Sequence, residues 1–226
     1  MSDVVIVDYG AGNLRSVARA VAHAGVEAVV SAEPRMVEGA RALIVPGVGA
    51  AERTMLNLRS AGLDGPILDY IASDRPFLGV CMGMQALFDV SEEGGEHACL
   101  GVLGGRLLRF PQGMTVPHMG WNTVHLERPH PVFEGVPDNA YFYFVHSYYP
   151  APSDDACVIG SSDYEGVVFP AVVGQGNLIA TQFHPEKSGK HGLLLYKNFL
   201  RLALERGSIA PQSSLENAPN GRVVAT

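Results

Sequence analysis

The sequence predicts an α/β protein: a three-layer sandwich around a mostly parallel central sheet, with extra antiparallel strands. Three observations carry this. Short, continuous β-branched runs recur through the first 80 residues, as strands buried on both faces do. Each run is followed by a segment of helical period, the alternation that makes βαβ crossovers. Beyond residue 100 the texture changes to short β-rich pieces, many aromatics and frequent Gly and Pro.

Taken in order, Val4-Val5-Ile6-Val7 is the first strand and ends at Asp8-Tyr9-Gly10-Ala11-Gly12-Asn13. Leu14, Val17, Ala18, Val21 and Ala22 then recur at helical spacing up to Gly25, a suitable C-cap. Glu27 to Val30 and Ala42 to Val45 are the second and third strands, the third running into Pro46-Gly47-Val48-Gly49. Helices are expected over Ala51 to Ser60 and Pro66 to Ala72, then a fourth strand over Phe77 to Val80 and a helix over Met82 to Phe88. Further strands are expected at Gly105 to Arg109, Thr123 to Leu126, Ala140 to Val145, Cys157 to Ser161, Val167 to Val173 and Leu178 to Thr181. Gly174-Gln175-Gly176-Asn177 reads as a hairpin loop. A last amphipathic helix spans Gly192 to Leu204, with Leu193, Tyr196, Phe199, Leu200 and Leu204 on one face. One domain is expected over 1–206, followed by a mobile Ser/Pro/Asn-rich tail over 207–226.

Composition removes several classes. With 47% hydrophobic and 17% charged residues, the chain buries a full core rather than staying disordered. The net charge of -7 argues against nucleic acid or an anionic membrane surface as partner. Three scattered cysteines (Cys81, Cys99, Cys157) form neither a disulfide framework nor a Cys-x-x-Cys metal site, which fits a reduced, cytoplasmic compartment. The opening apolar strand is too short for a signal segment, and no run reaches the roughly 18 apolar residues of a membrane span. Gly10-Ala11-Gly12 lacks the third glycine of a dinucleotide fingerprint, since position 15 is Arg15, and no phosphate-loop motif is present.

The chemistry centres on Gly79-Val80-Cys81-Met82-Gly83. A lone cysteine is as a rule a packed small hydrophobe. Here it tips a strand–turn–helix in the Gly-x-nucleophile-x-Gly pattern, where side chains at the flanking positions would collide. A helix N-terminus beneath the sulfur favours thiolate and offers free N–H groups.

A nucleophilic thiol needs a base, and the base an orienter. Of eight histidines, His184 stands apart, directly after the strand ending near Thr181. Pro185 biases it to extended geometry, so His184 and Glu186, at i and i+2, can face one site. Glu186 then holds one ring nitrogen while the other faces Cys81. The order nucleophile, histidine, acid differs from that of the α/β-hydrolases. Oxyanion donors are expected from the Met82 N–H and from Pro46-Gly47-Val48-Gly49, which leaves a neighbouring strand at the same sheet edge. Trp121 fits equally a core tryptophan and an interface anchor.

Gly79-Val80-Cys81-Met82-Gly83 with His184-Pro185-Glu186 resembles the class I (triad) glutamine amidotransferases. Four further stretches are similar to the branch formed by the glutaminase subunits of imidazole glycerol phosphate synthase. They are Val7 to Leu14, Pro46 to Ala50, Pro117-His118-Met119-Gly120-Trp121-Asn122 and Tyr143-Phe144-Val145-His146-Ser147-Tyr148. The resemblance implies a flavodoxin-like fold and a mechanism. Cys81 attacks the glutamine side-chain amide, His184 moves protons and Glu186 holds His184. It implies Val48, Gly49 and Met82 as oxyanion groups, and Gln85, His146, Ser147 and Tyr148 as the glutamine pocket. It implies no metal and no cofactor. The implied partner is a (β/α)8-barrel cyclase subunit that receives ammonia to make imidazole glycerol phosphate and an aminoimidazole carboxamide ribotide, with Asn13, Trp121 and Asn122 toward that subunit. A thiol peptidase acting alone, a glutaminase serving another synthase and a catalytically silent subunit are the competing readings. Ala51-Glu52 departs from the family, which usually has a bulky apolar residue there.

Overall fold

The computed structural model describes residues 3–211. In chain order the strands are β1 (Val4–Val7), β2 (Ala28–Ser31), β3 (Ala42–Gly47), β4 (Phe77–Cys81), β5 (Val90–Ser91), β6 (His97–Ala98), β7 (Gly105–Arg109), β8 (His118–Leu126), β9 (Ala140–His146), β10 (Tyr148–Pro152), β11 (Val158–Tyr164), β12 (Val167–Gln175) and β13 (Leu178–Thr181). The helices are α1 (Leu14–His23), α2 (Pro34–Gly39), α3 (Ala51–Ser60), α4 (Asp64–Ala72), α5 (Met82–Gln85) and α6 (Gly189–Arg201).

Among the described residues the main sheet runs β2-β1-β3-β4-β13-β12-β11-β8-β9. Every pair from β2 to β13 is parallel, and every pair from β13 onward is antiparallel. The expected three layers follow from side-chain alternation. Val4 and Ile6 of β1 face Val17 and Val21 of α1 and Leu195 and Phe199 of α6. Val5 and Val7 face the opposite core with Met55 and Leu58 of α3 and Ile67 and Tyr70 of α4. Both sets are fully or almost fully buried, so β1 reads as an unbroken apolar run.

A second sheet, β10-β7-β5-β6, packs beside the elbow. Several elements differ from expectation for definable reasons. α2 has only six residues, too few for a period, and its signal is Pro34 at the first turn. β5 and β6 have two residues each, and β10 carries Pro150 and Pro152. β8 starts at His118 rather than Thr123, passing through Gly120 at φ 138°. α5 is four residues long rather than running to Phe88. The last helix begins three residues earlier than expected and ends in a π-turn, Leu202–Arg206.

Residues 207–211, assigned above to the tail, lie on the domain. Ile209 is fully buried, and Asn177 Oδ1 accepts from the Ser208 hydroxyl and from the Ile209 and Ala210 N–H groups. The rest of the expected tail, 212–226, falls outside the described residues.

Candidate active site

Strand register assembles the site. Gly47 of β3 pairs with Cys81 of β4, and Thr181 of β13 pairs with Val80. The Gly47–Gly49 loop, Cys81 and the His184 turn therefore leave three adjacent parallel strands at the same carboxyl edge, where open α/β sheets bind ligands.

Cys81 sits at the tip with φ 53° and ψ -104°, a conformation L-residues rarely hold. The glycines around it make that tip possible. A Cβ on Gly83 would lie 1.8 Å from the Val45 carbonyl oxygen, and one on Gly79 would lie 2.8 Å from the Gly83 carbonyl oxygen. A Cβ on Gly47 would lie 2.1 Å from the Tyr9 hydroxyl oxygen. The collisions anticipated for the elbow are thus real, and they involve β3 as well as the turn. Met82 opens α5, so its N–H has no acceptor within the helix.

His184 Nδ1 is 2.7 Å from Glu186 Oε1, and both side chains are buried. The pairing is the one expected, but the route differs. Glu186 lies in a 3-10 turn, Pro185–Lys187, rather than on extended chain. That turn is clamped on two sides. The His184 N–H donates to the Tyr143 carbonyl of β9, and the Ser188 hydroxyl donates to the His184 carbonyl while accepting from the Tyr143 N–H. Gly192 of α6 packs so closely that a Cβ there would lie 1.8 Å from the Pro185 carbonyl oxygen.

Burial by itself would lower the His184 pKa. The Cys81 sulfur and the Glu186 carboxylate outweigh it and hold the ring at about 10 against an ordinary 6.5. Its Nε2 is buried without a hydrogen-bond partner. The site therefore favours an imidazolium facing the Cys81 sulfur, the arrangement that supports a sulfur nucleophile.

A cavity of about 240 Å³ opens over Cys81 and His184. Val48, Gly49 and Met82 line it together with Gln85, His146, Ser147 and Tyr148. Its volume is below the roughly 300–1,000 Å³ of pockets for drug-sized ligands and suits an amino-acid-sized one. All the expected oxyanion and pocket residues meet at this one cavity. Glu93, Pro117 and Val145 also line it and were not anticipated. Glu93 reaches in from the β5 loop to accept from the Ala51 N–H at the start of α3. Ala51 is buried, so its small side chain is what the local packing accepts.

His146 belongs to a buried chain of neutral rings. The Tyr148 carbonyl can only accept, so His146 donates to it from Nδ1 at 2.9 Å. His146 Nε2 must then accept from His118 Nδ1 at 3.1 Å, and His118 Nε2 from Asn122 Nδ2 at 3.4 Å. Burial lowers the pKa of His118 to about 4 and of His146 to about 3.

The three residues expected toward a partner separate. Trp121 is 56% exposed beside 62% exposed Met119, which excludes a core tryptophan. Its ring meets Tyr143 edge-on, 6.2 Å between centroids, on the face that carries Lys187. Asn122 is half-buried and bonded to Asp163 and His118. Asn13 has its amide committed inward, to Glu186 Oε1.

A model of the family "Glutamine amidotransferase class-I" matches residues 5–202. The chain belongs to this family. Within it, the chain is 50% identical over 201 residues to "Imidazole glycerol phosphate synthase subunit HisH" of Dehalococcoides mccartyi (strain CBDB1), covering 89% of this chain and 98% of that protein. The protein of the same name from Desulfitobacterium hafniense (strain DSM 10664 / DCB-2) is 49% identical over 209 residues, covering 92% and 99%. Solved structures superpose on it at lower identity. "Crystal structure of glutamine amidotransferase" has a TM-score of 0.69 at 24% identity, covering 88% of this chain and 98% of the other. "Structure of PurLQS from Thermotoga maritima" has 0.70 at 19%, covering 89% and 99%. These last two bear on the fold alone.

Proposed function

We propose that this protein is the glutaminase subunit of an imidazole glycerol phosphate synthase. It hydrolyses glutamine and passes the ammonia to a (β/α)8-barrel cyclase subunit in histidine biosynthesis. The observation that carries this reading is the elbow thiol of Cys81 sharing one amino-acid-sized cavity with His184, whose far ring nitrogen is held by buried Glu186. The half-identical relatives that bear the HisH name supply the synthase.

The chemistry follows from the groups present. The Cys81 thiolate attacks the side-chain amide carbon of glutamine, and the new oxyanion is met by the Met82 N–H and the Val48–Gly49 backbone. Imidazolium His184 gives its proton to the departing nitrogen, ammonia leaves and a thioester remains. Neutral His184 then takes a proton from water, whose oxygen adds to the thioester, and glutamate and the thiolate are released. Glu186 keeps Nδ1 protonated throughout, so Nε2 alone exchanges the proton. Gln85, His146, Ser147 and Tyr148 take the amino-acid end of the substrate.

The partner-facing surface in this reading is the β8–β9 face of Trp121. It lies close to the chemistry, because Tyr143 pairs with Trp121 across the strands and accepts from the His184 N–H. A reducing cytoplasm suits a site whose nucleophile is a free thiol, and Cys99 and Cys157 are also free. Among the described residues no helix is long and apolar enough to cross a membrane.

The test is glutamate release from glutamine by the protein paired with a barrel cyclase subunit. Cys81→Ala is expected to abolish glutamine-dependent synthesis and to leave ammonia-dependent synthesis intact. Loss of both with the complex still assembled would overturn the division of labour, and peptide cleavage without glutaminase activity would overturn the reaction.

A further inference from the structure

Gln182 is fully buried, one residue past β13. A buried amide is costly unless its hydrogen bonds are made, and an apolar side chain would fill the same space at no such cost. Its Nε2 lies 3.7 Å from the Cys81 sulfur, and its Oε1 accepts from Gln85 Nε2 at 2.9 Å.

The orientation of this amide is dictated from outside. Gln85 Nε2 also donates to the Tyr148 carbonyl at 3.0 Å. A carbonyl can only accept, so Gln85 must present its nitrogen there, and the same nitrogen then reaches Gln182. Gln182 is left with its oxygen toward Gln85 and its NH2 toward the sulfur. Turning Gln85 over would set its oxygen against two acceptors, the Tyr148 carbonyl and Gln182 Oε1. The carbonyl's other donor, His146 Nδ1–H, arrives through the chain from His118 and Asn122. At the far end Asn122 is fixed too, because its Oδ1 accepts from the Thr123 N–H and its Nδ2 donates to the Asp163 carbonyl. Every amide and ring between Asn122 and Cys81 therefore has one allowed orientation.

We propose that Gln182 is a positioning residue of this site. It donates a hydrogen bond to the Cys81 sulfur and, through Gln85, is locked so that it offers the sulfur a donor and never an acceptor. A donor at that place steadies the ionised sulfur and fixes its direction before substrate arrives. The inference rests on Cys81 being the nucleophile, and alkylation tests it without glutamine.

The experiment is alkylation of the full-length protein by iodoacetamide between roughly pH 5 and 9, with Cys81 followed by peptide mass. Gln182→Met keeps the volume and removes the donor. It is expected to move the acid limb of the rate profile up by about one pH unit, slowing reaction on that limb about tenfold. With glutamine as substrate, kcat falls by a similar factor while KM stays within about twofold. Gln182→Glu keeps the acceptor for Gln85 but sets an acceptor against the sulfur, and is expected to move the limb further. A folded Gln182→Met or Gln182→Glu variant with the unaltered profile would overturn the proposal. Should both fail to fold, Gln85→Met unlocks the Gln182 amide and is expected to give a smaller upward shift, and no shift there would overturn it equally. Cys81 of the unaltered protein reacting no faster than Cys157 would instead overturn the nucleophile itself.

Discussion

Asn13 and Glu186 lie 173 residues apart in the chain, yet the Asn13 amide donates to Glu186 Oε1, the same oxygen that His184 Nδ1 uses. Asn13 is able to do so because it stands at φ 75° and ψ 4°, a left-handed position that asparagine tolerates, at the mouth of α1. One carboxylate oxygen thus joins the β1–α1 turn to the histidine turn. The other, Oε2, is buried without a hydrogen-bond partner.

Asn13→Ala therefore loosens Glu186 and with it the direction of the His184 ring. The expected result is a kcat for glutamine hydrolysis roughly tenfold lower with little change in KM, the pattern of an interaction used in the transition state. Affinity for the cyclase subunit, measured by titration calorimetry, is expected to stay within about twofold. A large loss of affinity with normal kcat would place Asn13 at the interface instead.

Gly83 and Gly49 separate two uses of glycine. A Cβ on Gly83 meets the Val45 carbonyl oxygen at 1.8 Å, backbone that has no room to move. Gly83→Ala is expected to cost about 3 kcal/mol in urea unfolding and to abolish selective alkylation of Cys81. Gly49 has φ 103° with nothing within 4 Å of a Cβ, so alanine there is strained but not crowded. Gly49→Ala is expected to leave the unfolding midpoint nearly unchanged while lowering kcat/KM at least tenfold, because the loop beside Cys81 adopts another backbone conformation.

The contrast also shows what is legible without coordinates. The elbow is local. Two glycines, a cysteine and the apolar run before them carry their own geometry, and the collisions they avoid lie in the turn and the next strand. The His184–Glu186 pair is nearly local, so the partner is readable but the 3-10 turn that brings it round is not. The Asn13–Glu186, Gln182–Cys81 and Glu93–Ala51 contacts span 173, 101 and 42 residues, and no periodicity encodes them. They exist because strand order places distant turns side by side. β10 was hidden for the opposite reason: Pro150 and Pro152 read locally as breakers, whereas β7 accepts them within a small sheet.

Stability is expected to fall on both sides of neutrality, for opposite reasons. Burial holds His118 and His130 at about 4 and His146 at about 3, against 6.5 when unfolded. The unfolded chain therefore takes up these protons first. The stability they contribute is fully present above about pH 6.5 and drains as pH falls toward 4, by up to roughly 1.4 kcal/mol per pH unit for each proton. His130 lies away from the cavity, where its Nδ1 accepts from the Val132 N–H. His130→Asn keeps an acceptor for that N–H and is expected to reduce the acid slope by about one proton, with glutaminase activity retained. His184 is shifted the other way, to about 10, so its contribution is full below about pH 6.5 and is lost as pH rises through 10. Glu186→Gln is expected to flatten that alkaline loss. Urea unfolding across the range measures both limbs.

Trp121 offers the cleanest separation of folding from assembly. It is more than half exposed and rests on Tyr143 and close to Gly189, with no place in either buried core. An exposed tryptophan beside Met119 on a sheet face has the character of an interface anchor. Trp121→Ala is expected to leave the unfolding free energy of the isolated subunit within about 0.5 kcal/mol. Its affinity for the barrel cyclase subunit is expected to weaken by about 2 kcal/mol, roughly thirtyfold. Glutamine turnover at saturating partner is expected to return toward the unaltered level, since no atom of Trp121 lines the cavity. Destabilisation of the isolated subunit without loss of affinity would show that the tryptophan serves the fold, and that the partner binds elsewhere.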